Sequence, residues 1–168
     1  MSNIHEIFDL VNENNEVIGQ EERWKVHKKR LWHRAVYIFI FNKKGELLLQ
    51  KRSMDSDTSA GLWTASASGH LGTEKDYLAA AKRELKEEIG IEIPIKKIGA
   101  GEIDNSVDRM FFKLYSGKYD GKFKIQEEEL SKVKFFTVDE IKKMVEKTPE
   151  KFSPNFRVAF GLYIRNIY

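Results

Sequence analysis

Apolar and polar positions alternate along this chain in two distinct periods. Ala35-Val36-Tyr37-Ile38-Phe39-Ile40-Phe41 is almost continuously apolar, which predicts a strand covered on both faces. The turn formers Asn42-Lys43-Lys44-Gly45 close it, and residues 46–52 return as a second strand, so the two read as a hairpin. An earlier hairpin is expected from residues 6–11 and 17–21, around Asn12-Glu13-Asn14-Asn15-Glu16. Between the hairpins, residues 24–34 are basic and aromatic, carry His27 and His33, and read as a loop with a helical turn. Residues 54–61 are small and polar and predict an exposed loop, and 62–67 a short strand.

The period then changes. Leu78, Ala81, Leu85 and Ile89 recur at helical spacing. The helix is expected to start near Thr73, with Thr73 and Asp76 in a capping-box spacing, and to stop at Gly90. Strand character returns at 91–93 and 95–100, interrupted by Pro94, then at 109–116, 122–125 and 133–136. Residues 138–146 predict a helix capped by Thr137. Ser153-Pro154 opens a last helix to about residue 167, with Phe156, Ala159, Phe160, Tyr163 and Ile164 on one face. Strands interleaved with a few helices predict an α/β layered fold with a mixed sheet, organised as one domain over residues 1–168.

One face of the central helix does not fit a merely solvating role. Glu84, Glu87 and Glu88 lie three and four residues apart, so they share a side of the helix and repel one another. A cation above them would explain the cluster, and oxygen ligands favour a hard one, Mg2+ or Mn2+. A solvated acidic face is the plainer alternative.

Composition narrows the classes. The chain of 168 residues is 41% hydrophobic and 12% aromatic, enough for a core and against disorder. Twenty-nine basic and 26 acidic side chains leave a net charge of +3, which points to no nucleic-acid surface but would help attract a small polyanion. With no cysteine, disulfides, thiolate zinc sites and a cysteine nucleophile are excluded. The N-terminus has no secretory pattern, and the longest apolar run is too short to span a bilayer. A soluble cytoplasmic protein with no membrane partner is expected.

Residues 69–91 resemble the Nudix box, which runs glycine, five residues, glutamate, seven residues, then Arg-Glu-aliphatic-x-Glu-Glu-x-Gly-aliphatic. Gly69, Arg83, Glu84, Leu85, Glu87, Glu88, Gly90 and Ile91 match in register, while Lys75 stands where the first glutamate belongs and Glu74 precedes it by one residue. Outside the box, Phe8-Asp9-Leu10-Val11-Asn12, His33-Arg34-Ala35-Val36, Gln50-Lys51-Arg52, Gly61-Leu62-Trp63, Ser68-Gly69-His70 and Phe152-Ser153-Pro154 resemble the branch of Nudix hydrolases related to isopentenyl-diphosphate isomerase.

The resemblance implies an α/β/α sandwich with a mixed sheet between helices. It implies metal-dependent cleavage of a diphosphate bond in a nucleoside diphosphate derivative or other organic diphosphate, by a monomer or homodimer. Gly69, Glu84, Glu87 and Glu88 would hold the metal, and Arg83 would orient a glutamate. The water-activating base would be Glu87, Glu88, or a glutamate of the 127–129 run, with Glu128 or Glu129 preferred. Arg52 and His70 are candidate substrate contacts, although Arg52 could equally be a surface arginine. Trp63 could stack on a base or fill the core, the core being preferred. His33 and His70 occupy positions similar to the isomerase's metal-binding histidines, with His27 near a third; in a hydrolase they are expected to make structural hydrogen bonds.

Two other functions remain open from the residues. An isomerase is expected to carry a cysteine where this chain has Ser68 and a pair of glutamates on a later strand, for which Asp108 is the nearest acidic candidate. A binding module that had lost catalysis would be consistent with Lys75, but not with an intact carboxylate cluster.

Overall fold

A computed structural model describes residues 5–56, 58–72 and 76–167. The expected cap at Thr73, and the Glu74 and Lys75 positions, lie outside the described residues.

Strand β3 (His33–Phe41) organises the molecule. It pairs in parallel with β8 (Arg109–Lys118) from His33↔Met110 to Phe41↔Lys118, and antiparallel with β6 (Ala67–His70). The sheet is seven-stranded and mixed, in the order β5-β4-β3-β8-β7, with β6 on β3 and β9 on β4. These remaining strands are β4 (Leu47–Arg52), β5 (Trp63–Thr64), β7 (Lys96–Asp104) and β9 (Leu130–Phe136). The unbroken apolar run of β3 has the expected cause. Ala35, Tyr37 and Phe39 point into one core and Val36, Ile38 and Ile40 into another, because side chains alternate along a strand.

The second of those cores is closed by α2 (Tyr77–Ile89), through Ala80, Ala81, Leu85 and Ile89. The first is closed by α3 (Val138–Lys147) and α4 (Pro154–Ile167), through Ile141, Phe156, Ala159, Phe160 and Tyr163. The architecture is therefore an α/β/α sandwich, as expected. Asp76 caps α2 by accepting from the Leu78 amide, and Gly90 ends it at φ +70°. Thr137 caps α3 as expected, and does so through a full capping box with Glu140.

Phe39 is fully buried and meets the rings of Phe156, Phe160 and Tyr163. Phe39→Ala is expected to cost about 3–5 kcal/mol, read as a lower urea midpoint with the m-value unchanged.

Several local expectations are corrected. Residues 24–34 are not chiefly loop. They hold α1 (Arg23–Lys29), which buries Val26 and ends at Arg30 in the left-handed conformation, and β3 then starts at His33. His27, Lys28 and Lys29 sit in the last turn of α1, where the helix dipole favours positive charge. The hairpin of β3 with β4 keeps only the pair Phe41↔Leu47, because β4 leaves to pair with β5 and β9. Residues 91–95 and 122–125 are not strand. The N-terminal hairpin, β1 (Ile7–Val11) and β2 (Val17–Glu22), forms its own two-stranded sheet. It is tied to β3 by Arg34, whose Nε donates to Asn15 Oδ1 at 2.7 Å. No helix among the described residues is long and apolar enough to cross a membrane.

Candidate active site

β6 delivers Gly69 directly over α2, and this packing assembles the carboxylates. A Cβ built on Gly69 would lie 2.0 Å from Glu84 Oε1. Only glycine leaves room for the carboxylate to lie against the backbone there. Glu84 and Glu88 are buried while Glu87 is half in solvent, so the shared face is split between interior and rim. Arg83 Nη1 lies 2.9 Å from Glu84 Oε1 and 3.0 Å from Glu87 Oε2, and its Nη2 donates to the His70 carbonyl at 3.2 Å. Glu88 Oε2 accepts from the Ser68 amide at 3.0 Å and from Gln50 Nε2 at 3.1 Å.

The charge on this cluster is only partly compensated by the protein, through Arg83. Burial, then the neighbouring Glu88, raises Glu84 well above the usual carboxylate range. Burial pushes Glu88 up to about 7, with the Glu129 charge adding to the rise. Two buried, mutually repelling carboxylates beside a backbone cradle are the donor set for a hard divalent cation. The residues fit such an ion at Gly69, Glu84, Glu87 and Glu88.

A cleft of about 1170 Å3 opens over the cluster. Arg52, His70, Glu128 and Glu129 all line it, together with Gly69, Arg83, Glu84, Glu87 and Glu88. Glu127 does not line it. Glu128 and Glu129 sit in the turn before β9, which is held near α2 by the Gln126 amide donating to the Glu88 carbonyl at 3.0 Å. Arg52 is not a plain surface arginine. Its Nε donates to the Thr58 carbonyl at 2.9 Å, which fixes its stem against the cleft wall. Trp63 belongs to the core, packed edge-on against Phe136, as preferred.

The histidines are where sequence reasoning fell short. His27, His33 and His70 converge with Asp108, and one ligand atom of each lies within 4.8 Å of the others. Phe8 backs this cluster, stacking on His70 at 4.7 Å and on His33 at 5.7 Å. His33 Nδ1 donates to the Leu31 carbonyl at 2.9 Å, which leaves Nε2 as its lone-pair nitrogen. That buried Nε2 has no partner among the described residues. Burial lowers His33 to about 4 and His70 well below its ordinary value, the latter helped by the Arg23 cation. Neutral imidazoles and one carboxylate make a second, softer donor set that suits a transition metal. The sequence pointed to His27, His33 and His70 individually, and to Asp108 only as a stand-in for an isomerase acid. Their meeting depends on the parallel pairing of β3 with β8, which no local pattern encodes.

The sandwich and its carboxylate cleft define a class, and comparisons with known proteins agree with it. The NUDIX domain profile matches residues 31–156. The chain belongs to the Nudix family, and its enzyme class is that of the pyrophosphohydrolases. It is 34% identical over 160 residues to the uncharacterized Nudix hydrolase YfcD of Salmonella typhi, covering 95% of this chain and 85% of that one. It is also 34% identical over 153 residues to an isopentenyl-diphosphate Delta-isomerase of Serratia proteamaculans, covering 88% and 86%. Among solved structures, DR0079 from Deinococcus radiodurans superposes with a TM-score of 0.82 at 21% identity, covering 97% of this chain and all of that one. This last likeness concerns the fold alone.

Proposed function

We propose that this protein, a single Nudix domain acting in the cytoplasm, is a Mg2+- or Mn2+-dependent hydrolase of a small organic diphosphate. The observation that carries the reading is the pair of buried carboxylates, Glu84 and Glu88, against the Gly69 backbone, with Arg83 offsetting their charge only in part. A divalent cation bound there would neutralise diphosphate charge and polarise a phosphoryl oxygen. Arg83 bridges Glu84 and Glu87 and orients both carboxylates at the cleft. Glu88 Oε1 accepts the proton of the attacking water, because Oε2 is already held by two donors. Glu129, whose charge is felt at Glu88, and the neighbouring Glu128 are the alternative acceptors from the cleft wall. Arg52 contacts the phosphate oxygens, and His70 borders the same space.

The test is a panel of nucleoside diphosphates, nucleotide sugars and other organic diphosphates with Mg2+, scored by released phosphate or monophosphate. Turnover of at least one member is expected, and it should disappear on chelation with EDTA. Absence of turnover throughout, with metal affinity untouched by Glu88→Gln, would sink the reading.

A second reading is favoured by the His27, His33, His70 and Asp108 cluster together with the isomerase relative. An allylic isomerase needs a proton donor and acceptor across its substrate. Ser68 lines the cleft, but an alcohol is a far weaker acid than a thiol. Conversion of isopentenyl to dimethylallyl diphosphate would establish this reading instead.

A further inference from the structure

Besides the carboxylate cluster, the cleft is lined by a second set of polar groups of different chemistry. Tyr37, Thr64, Asp108, Ser153 and Asn155 line the wall. All but Asn155 are buried at least nine-tenths, so their hydrogen-bonding groups must be satisfied within the cleft.

The donors can be traced one by one. The Phe156 amide donates to Ser153 Oγ at 3.2 Å, and Ser153 Oγ donates in turn to Thr64 Oγ1 at 3.2 Å. Asn155 is clamped, its Oδ1 accepting from Asn105 at 2.9 Å and its Nδ2 donating to Asp108 Oδ2 at 2.7 Å. Two buried hydroxyls, those of Tyr37 and Thr64, stand in the same wall as a buried carboxylate, Asp108. A substrate hydroxyl is both donor and acceptor, and such a wall complements it.

What the wall lacks is equally informative. A nucleobase asks for an exposed ring face on which to stack. The rings lining the cleft among the described residues are Tyr37 and His70. Tyr37 packs edge-on against Phe112 and is 6% exposed, and His70 is stacked by Phe8. A prenyl chain asks for apolar walls, and the aliphatic side chains on the lining are only Ile7 and Ala35 among the described residues.

We infer that the organic moiety of the substrate is a polyol or sugar, hydrogen-bonded by Tyr37 and Thr64 and by Asp108, rather than a nucleobase-proximal or prenyl group. This assignment rests on the diphosphate-hydrolase reading for the orientation of the substrate, with its phosphates at Arg52 and the glutamates.

The experiment compares ribitol 5-diphosphate, ADP and geranyl diphosphate as substrates, and their methylene-bridged analogues as ligands by calorimetry. The expected kcat/KM for the ribitol compound exceeds that for the geranyl compound at least ~100-fold, as in sites that hydrogen-bond a substrate hydroxyl. Tyr37→Phe and Thr64→Val delete one donor each with little change of shape. Each should reduce that selectivity ratio about 10-fold or more, chiefly by raising KM for the ribitol compound. Turnover of ADP or geranyl diphosphate equal to that of the ribitol compound overturns the assignment and leaves the hydrolase reading intact. No turnover, with the ribitol analogue still bound preferentially, supports the assignment and overturns hydrolysis. No turnover and no binding preference overturns both.

Discussion

Glu88→Gln is expected to lower kcat by about 10²–10⁴-fold and, at the same time, to stabilise the metal-free protein at pH 8. The two effects share a cause. Glu88 is 4% exposed and its carboxyl is pushed up to about 7, because burial and the nearby Glu129 disfavour its charge. Folding therefore favours its protonated form. A carboxyl whose folded pKa lies above its unfolded value contributes full stability below about 4.5 and loses it as pH rises through about 7. At pH 8 the wild-type chain carries the whole cost of a buried charge, and glutamine does not. Its side-chain oxygen can still accept from Ser68 and Gln50, so packing is preserved.

The gain at pH 8 should be roughly 1–3 kcal/mol and should vanish near pH 4.5. The comparison must be made between variant and wild type at each pH. His33 and His70 titrate in the opposite sense, losing stability as pH falls below their ordinary values, and partly mask the trend in either protein alone. Added Mg2+ should raise the melting temperature of the wild type more at pH 8 than at pH 5, since the ligand must be deprotonated. A variant less stable than wild type at pH 8 without metal would show that the carboxylate is stabilised by something other than a bound cation.

Gly69→Ala is expected to weaken divalent-metal affinity about 10–100-fold while leaving the fold intact. The added Cβ would meet the carboxylate of Glu84, with all three terminal atoms within 2.7 Å. Those atoms are the free end of a side chain, so the clash is relieved by rotating Glu84 away rather than by moving the backbone. Gly69 also lies in β6, paired with Val36, in a conformation that alanine adopts readily. Thermal stability without metal should therefore change little, while titration calorimetry with Mn2+ reports the loss. Arg83 would follow the displaced carboxylate, so kcat should fall with affinity. Unaltered metal binding in this variant would remove Glu84 from the ligand set.

The fold was legible wherever local pattern and tertiary environment agree. Residues 35–41 announce a strand buried on both faces because both faces must be apolar, and α2 and α4 announce themselves by stripes at helical spacing. Residues 24–34 misled because α1 has only seven residues and buries little beyond Val26 and Arg23, so no stripe long enough to recognise exists. The hairpin of β3 and β4 was over-read for a related reason. A turn dictates that two strands begin together, but not that they stay paired when β6 takes the adjoining stretch of the same edge of β3 and β9 pairs along β4.

By itself, the sequence determined that an arginine and three glutamates stand at fixed offsets on one helix, where 3.6-residue geometry makes spacing equivalent to position. Tertiary structure alone decided which of those glutamates is buried, since Glu84 and Glu88 face β6 and Glu87 faces solvent. It alone brought Asp108 to His27, His33 and His70, and set Tyr37, Thr64 and Asn155 in the wall of the same cleft. These residues come from separate strands, helices and loops. Their distances are set by sheet order and helix packing, quantities that no window along the chain contains.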